Sequence, residues 1–198
     1  MRHTAIVLLV LACMTNKFQN GDAPVIARAV FDGVANGTLN EQKPSTRLAL
    51  FELIDFIYHE PHYNTAIVKQ MTPRKFVRGL VSMAELEKDP KCLRVLFQLY
   101  EQIGVDWGDE LDTESLQSIW ESFMRYYPIT LKDAPNKDPS VPTREELKEG
   151  LRRCLTSNGY YAKYAFHRLV ELLETTADLS ANNKVRPRTL SLNLKVLT

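Results

Sequence analysis

Glycine is scarce: eight in 198 residues. That disfavours turn-dense β-sandwiches and leaves no glycine-rich loop to cradle a phosphate. Cysteine is scarcer still. Cys13, Cys92 and Cys154 form an odd set at wide spacing, with no C-x-x-C pair, so they supply neither a zinc knuckle nor an iron–sulfur ligand set. Each sits in an apolar helical pattern, which predicts buried, reduced thiols in a cytosolic or nuclear protein. An excess of one charge is missing too. The chain has 25 basic and 24 acidic residues, net +1, whereas a dedicated nucleic-acid binder usually carries a basic surplus. Long apolar runs are also lacking. "MRHTAIVLLVLACM" has a basic start and ten apolar residues, too few to span a membrane. It resembles a secretory signal, and the alternative is a buried helix.

Catalytic signatures are thin. "YHEPH" holds His59 and His62, but Pro61 lies between them and the second His comes one residue too early for H-E-x-x-H. His167 has no partner at a useful spacing. There is no G-x-S-x-G nucleophile elbow. The expectation is a protein that is not an enzyme and carries no cofactor.

What the chain does have is helical periodicity. In "PSTRLALFELIDFIYHE", Leu48, Phe51, Ile54, Ile57 and Tyr58 fall at three- and four-residue spacings. Ser45 or Thr46 is placed to cap its start, and Pro61 bars its continuation. "TPRKFVRGLVSMAEL" opens with Thr72 as N-cap and Pro73 in the first helical position. "DPKCLRVLFQLYEQIG" repeats that device with Asp89 and Pro90, aligns Leu93, Leu96, Leu99, Tyr100 and Ile103, and closes at Gly104. "TESLQSIWESFMRYY" aligns Leu116, Ile119, Trp120 and Phe123. "TREELKEGLRRCL" opens on the capping box Thr143–Glu146 and aligns Leu147, Leu151, Cys154 and Leu155. "GYYAKYAFHRLVELLET" adds Tyr161, Ala165, Phe166, Leu169, Val170 and Leu173. Two earlier helices are expected near 4–17 and 22–36. Helix starts near 44, 89 and 143 recur at 45 and 54 residues, the spacing of a HEAT-type α-α superhelix with a stretched third unit. The fold class is therefore all-α, with residues 1–180 as one helical-repeat domain. Residues 181–198 form an atypical tail, where Leu190, Leu192, Leu194 and Val196 alternate with polar residues.

Two charge features stand out. "DWGDELDTE", residues 106–114, has five acidic residues in nine, either a solvated loop or a contact for a basic partner. Arg152, Arg153, Lys163 and Arg168 lie on the last helix pair, either as its solvent face or as a basic partner surface.

The stretch that interrupts the helices is "YYPITLKDAPNKDP", residues 126–139. Pro128 ends one helix and pushes Tyr127 out of helical geometry. Tyr126, Tyr127 and Ile129 are then free to pack back on the repeats, while Asn136, Asp138 and Pro139 favour tight turns. Aromatics at such a corner suit an architectural brace.

The order of residues here, through "YYPITLKDAPNKDPSVPTREELKEGLRRCL", resembles the MMS nineteen family, as do "ELEKDPKCLRVLFQLYEQI" and "RLALFELIDFIY" upstream. The likeness covers roughly residues 44–180. Lys137 interrupts the family's N-D-P, Asp133 and Ala134 replace its usual prolines, and the tail after Ser180 does not match. Family proteins are several-fold longer, so the chain is expected to correspond to part of their N-terminal domain. The signature-loop residues are Tyr127, Pro128, Ile129, Asn136, Asp138 and Pro139. The resemblance implies an adaptor of cytosolic iron–sulfur protein assembly and DNA repair, acting in nucleus and cytoplasm. Its implied partners are subunits of the iron–sulfur targeting complex and apo iron–sulfur DNA helicases and polymerases. It implies no cluster of its own, no direct nucleic acid and no membrane. A generic helical-repeat module of transport or trafficking is the alternative.

Overall fold

The computed structural model describes residues 19–35, 42–85, 87–130, 138–168 and 170–171. A 3₁₀ turn, Asn20–Asp22, leads into α1 (Ala23–Ala35). Then follow α2 (Pro44–His59), α3 (Pro61–Gln70), α4 (Pro73–Ala84), α5 (Pro90–Asp106), α6 (Thr113–Met124) and α7 (Arg144–Thr156). The backbone is helical again over 160–168, termed α8. Among the described residues there is no strand. No helix among them is long and apolar enough to cross a membrane.

Contacts sort the helices into two rows. One is α2–α5–α7; the other is α1–α4–α6, with α3 filling in beside α1 and α2. Side-chain bonds fix the directions. Arg47 and Glu87 join the N-terminal ends of α2 and α5, and Tyr58 and Asp106 join their C-terminal ends, so these two run parallel. Cys154 reaches Phe97 and Asn158 reaches Gly104, so α7 runs parallel to α5. Arg74–Glu114 at one end and Tyr126–Ala84 at the other make α4 and α6 parallel. Across the rows, Tyr100 meets Ser122 while Phe97 meets Tyr126, so α5 and α6 are antiparallel. Antiparallel pairs stacked in two parallel rows are the expected α-α superhelix. The core runs between the rows as one continuous cluster, from Ala27 and Phe31 at α1 to Tyr161 at α8. Each aliphatic or aromatic side chain fully buried there contributes about 1.5–3 kcal/mol.

Several local expectations are corrected. The α2 N-cap is Lys43, with no side-chain cap bond, and Thr46 is buried. Pro61 does stop α2, but it also opens α3 in the first helical position, where its missing N–H costs nothing. His59 therefore sits at a helix end and bonds back to the Asp55 carbonyl, while His62 is exposed on the next helix. Thr72 holds the N-cap position of α4 with φ 73° and no side-chain cap bond. α5 runs past Gly104 to Asp106. There the glycine serves packing: a Cβ at Gly104 would collide with Ser157 Oγ on the neighbouring helix. Phe166 and Val170, assigned to an apolar stripe, are exposed, Phe166 by 68%.

Other expectations hold. Asp89 accepts from the N–H groups of Lys91 and Cys92. Thr143 and Glu146 form the capping box, and Glu146 lies below the usual carboxylate range because the Thr143 N–H bonds it. Cys92 and Cys154 are buried free thiols. The helix expected at 4–17, Cys13, Asn136, Leu169, Leu173 and the tail 181–198 lie outside the described residues.

Candidate functional site

The corner after α6 begins with unpaired carbonyls. A helix end leaves its last C=O groups without intrahelical donors. At the end of α4 these are met from α6: Tyr126 Oη donates to the Ala84 carbonyl at 2.8 Å, and Arg125 donates to the Glu85 carbonyl at 2.7 Å. The Tyr126 ring stands edge-on to Phe97, centroids 5.8 Å apart. Burial pushes its phenol up to about 12. Tyr127 and Ile129 are half-buried against the core, and Pro128, joined to Tyr127 by a cis peptide, is exposed.

The far side of the corner is anchored at Asp138. Its carboxylate accepts from Ser140 Oγ at 2.7 Å and from the Ser140 N–H at 2.9 Å, which holds it below the ordinary aspartate range. Lys91 Nζ pairs with it at 3.5 Å and donates to Ser140 Oγ at 2.6 Å. Pro139, beside Asp138, is exposed. One side of the signature loop thus holds the end of α4 and the other the start of α5. Tyr126 and Arg125 carry the side-chain hydrogen bonds to the end of α4, and Lys91 those at the start of α5.

Beside that corner lies a buried ion pair. Glu87 is 4% exposed. Arg47 reaches it with two bonds, Nε to Oε2 at 2.8 Å and Nη2 to Oε1 at 3.0 Å. Oε1 also accepts the N–H groups of Lys88 and Asp89 at 2.9 and 2.8 Å. Burial pushes the Glu87 carboxyl up, but Arg47 and the two backbone donors outweigh it and hold it below the usual range. Arg47 Nη1 donates to the Gln42 carbonyl, so the guanidinium also ties down the chain before α2.

The acidic segment 106–114 is mostly structural. Trp107 and Leu111 are buried. The Trp107 ring lies 4.9 Å from Tyr58 and 5.5 Å from Phe76. Asp106 accepts from Tyr58 Oη at 3.0 Å. Asp112 caps α6 and pairs with Arg74 at 3.1 Å, and Arg74 also binds Glu114. Asp109 and Glu110 remain exposed, without a partner among the described residues.

The four basic residues do not converge into a bare positive edge. Arg152 pairs with Glu149 at 2.6 Å, Arg153 with Glu101 at 3.2 Å and Arg168 with Glu171 at 2.9 Å. Lys163 alone of the four has no partner among the described residues. The Arg47–Glu87 and Tyr58–Asp106 pairs escaped sequence reasoning because their partners lie 40 and 48 residues apart. The only local hint was an acidic residue before the Asp89–Pro90 cap.

Residues 1–186 match the profile of a family described as "Dos2-interacting transcription regulator of RNA-Pol-II", the MMS19 N-terminal family. The chain belongs to that family. The MMS19 nucleotide excision repair protein of Drosophila melanogaster is 27% identical over 156 residues, covering 77% of this chain and 15% of that protein. The MMS19 DNA repair/transcription protein of Saccharomyces cerevisiae is 27% identical over 168 residues, covering 80% and 15%. The MMS19 nucleotide excision repair protein homolog of Danio rerio is 30% identical over 103 residues, covering 50% and 9%. The chain thus spans about 15% of the length of the first two relatives. No solved structure matches it. In this MMS19-type chain, the segment Glu87–Lys88–Asp89–Pro90 is one joint: Glu87 takes the ion pair, Asp89 caps α5, and Pro90 opens it.

Proposed function

We propose that the chain is part of a non-enzymatic adaptor that helps deliver iron–sulfur clusters from the cytosolic assembly machinery to apo-proteins of DNA repair, replication and transcription. Membership of the MMS19 N-terminal family over residues 1–186 carries this reading. The relatives' names, DNA repair and transcription proteins, agree with it. The architecture supports it as well. Stacked helix pairs present long faces on which partner proteins dock by surface complementarity. The buried polar groups Glu87, Tyr100 and Ser122 bond within the fold, holding helices together.

In this reading residues 1–180 act as one repeat domain, with 181–198 distinct from it. The adaptor keeps no cofactor of its own; the cluster is cargo. Its partners are subunits of the iron–sulfur targeting complex and apo iron–sulfur DNA helicases and polymerases. It works in both nucleus and cytoplasm, without binding nucleic acid or membrane directly. The loop residues Tyr127, Pro128, Ile129, Asn136, Asp138 and Pro139 are structural. Of the proposed partner surface Arg152, Arg153, Lys163 and Arg168, Lys163 is the most available. Affinity purification of the tagged protein from its own cells tests the reading. Recovery of targeting-complex subunits with at least one iron–sulfur helicase or polymerase is expected. Recovery of neither contradicts it.

A further inference from the structure

At the C-terminal ends of α5 and α7 the two helices nearly touch. Asn158 Nδ2 donates to the Gly104 carbonyl at 3.1 Å, and a Cβ on Gly108 would collide with the Asn158 side chain. Beyond this seam the chain parts around an open groove of about 560 Å³. Its walls include Val105, Asp109, Tyr160 and Lys163. Val105 is 62% exposed and Tyr160 57%, among the most exposed large apolar side chains described. Asp109 and Lys163 line the same groove, yet neither pairs with the other or with any described residue. Glu110, adjacent to Asp109, is also unpaired among them.

The charge balance decides what the groove accepts. Asp109 in the wall, with Glu110 next to it in the chain but outside the lining, stands against the single ammonium of Lys163. The C-termini of α5 and α7 add roughly half a negative charge each, and the N-terminus of α8, which starts at Tyr160 in the same wall, returns about half a positive one. The field is therefore negative, with apolar walls and one cation to one side. Two exposed apolar side chains flanking an open depression suit a protruding side chain of a protein better than an enclosed small molecule.

We propose that this groove docks a short exposed segment of a protein partner in which Lys or Arg lies beside an apolar residue. The apolar side chain seats between Val105 and Tyr160. The cation meets Asp109 and Glu110, and a carboxylate of the same segment meets Lys163. This deepens the adaptor reading and rests on it, by giving the repeat surface one defined docking chemistry.

The test uses the whole chain as bait for a random twelve-residue peptide display library. Enrichment of peptides pairing Lys or Arg with Leu, Met or an aromatic residue is expected. Asp109→Lys with Glu110→Lys should weaken a selected peptide roughly tenfold, and replacing the peptide's basic residue by Glu should restore binding to that variant. Tyr160→Ser should weaken the same peptide at unchanged charge. All three positions are exposed, so melting temperatures should match the parent. An acidic or uncharged enriched set, no enrichment, or binding indifferent to the charge reversal overturns the proposal. The adaptor reading is judged separately by client recovery. Clients retained while the peptides fail removes the groove alone; clients lost while the peptides bind removes the adaptor role alone.

Discussion

The two seams between stacked helix pairs are built differently. The first joins α2 and α4 to α5 and α6, and it is filled by bulk. Tyr58, Phe76 and Trp107 interlock at one end, with ring centroids 4.9–6.0 Å apart. The Arg47–Glu87 ion pair closes the other end. The second joins α5 and α6 to α7 and α8, and along α5–α7 it is closed by proximity. Gly104 and Gly108 face Ser157 and Asn158 with no room for a side chain of their own, Gly150 sits tightly against Phe97, and the Cys154 thiol lies 3.1 Å from the Phe97 carbonyl. Large side chains fill space that helices leave between them; glycines remove that space. The first seam should fail when side chains are cut back, the second when they are enlarged.

Substitutions can break that contrast. The largest effect is expected for Trp107→Ala, about 4 kcal/mol of lost stability, because a buried ring touching two helices cannot be replaced by relaxation. Chemical denaturation measures it. Glu87→Ala should cost about 3 kcal/mol, since it strands Arg47 beside two unmet backbone donors. This change also carries a pH signature. The folded Glu87 carboxyl is depressed below its unfolded value. Its stabilisation is complete above the unfolded value of 4.5 and is lost as pH falls through the folded one. The parent's melting temperature should therefore fall more steeply below about pH 4.5 than that of Glu87→Ala; equal slopes would remove the ion pair's role.

In the second seam, Gly108→Ala should cost about 2 kcal/mol by overpacking, since its Cβ would collide with the Asn158 side chain across the seam as well as with the Gly104 carbonyl oxygen. A neutral or stabilising result would show that the seam opens freely and that proximity is not what holds it. The smallest effect is expected at the corner brace. Tyr126→Phe removes one hydrogen bond to the Ala84 carbonyl and should cost about 1 kcal/mol. Tyr127→Ala, at a half-buried position, should fall below the cost of truncating a fully buried ring.

Much of the first seam was legible in the sequence, and little of the second. The apolar spacings in α2, α5 and α6 mark buried faces because a helix repeats every 3.6 residues, and the Asp89–Pro90 and Thr143–Glu146 signals are local chemistry. Seam partners are not local. Nothing within ten residues of Arg47 announces Glu87, and Gly104 reads as a helix end until its neighbour, Ser157, is in place. The acidic segment misleads for the same reason: its carboxylates at 106, 112 and 114 are matched by Tyr58 and Arg74, both distant in sequence. Phe166 follows the helical period, yet no described helix covers it. Of the corner, the helix stop before Pro128 and the aromatics packed there were legible, and the bond from Tyr126 to the Ala84 carbonyl was not. The groove was not, because Asp109, just past α5, and Lys163, on α8, come to line one depression only in the folded chain.

The adaptor role is tested most directly by iron incorporation. Cells depleted of the protein are pulsed with radioactive iron, and an iron–sulfur DNA helicase is immunoprecipitated. Lower iron per helicase is predicted, with a cytosolic iron protein lacking a cluster left unchanged, and re-expression should restore it. Normal iron per helicase in depleted cells would contradict the account.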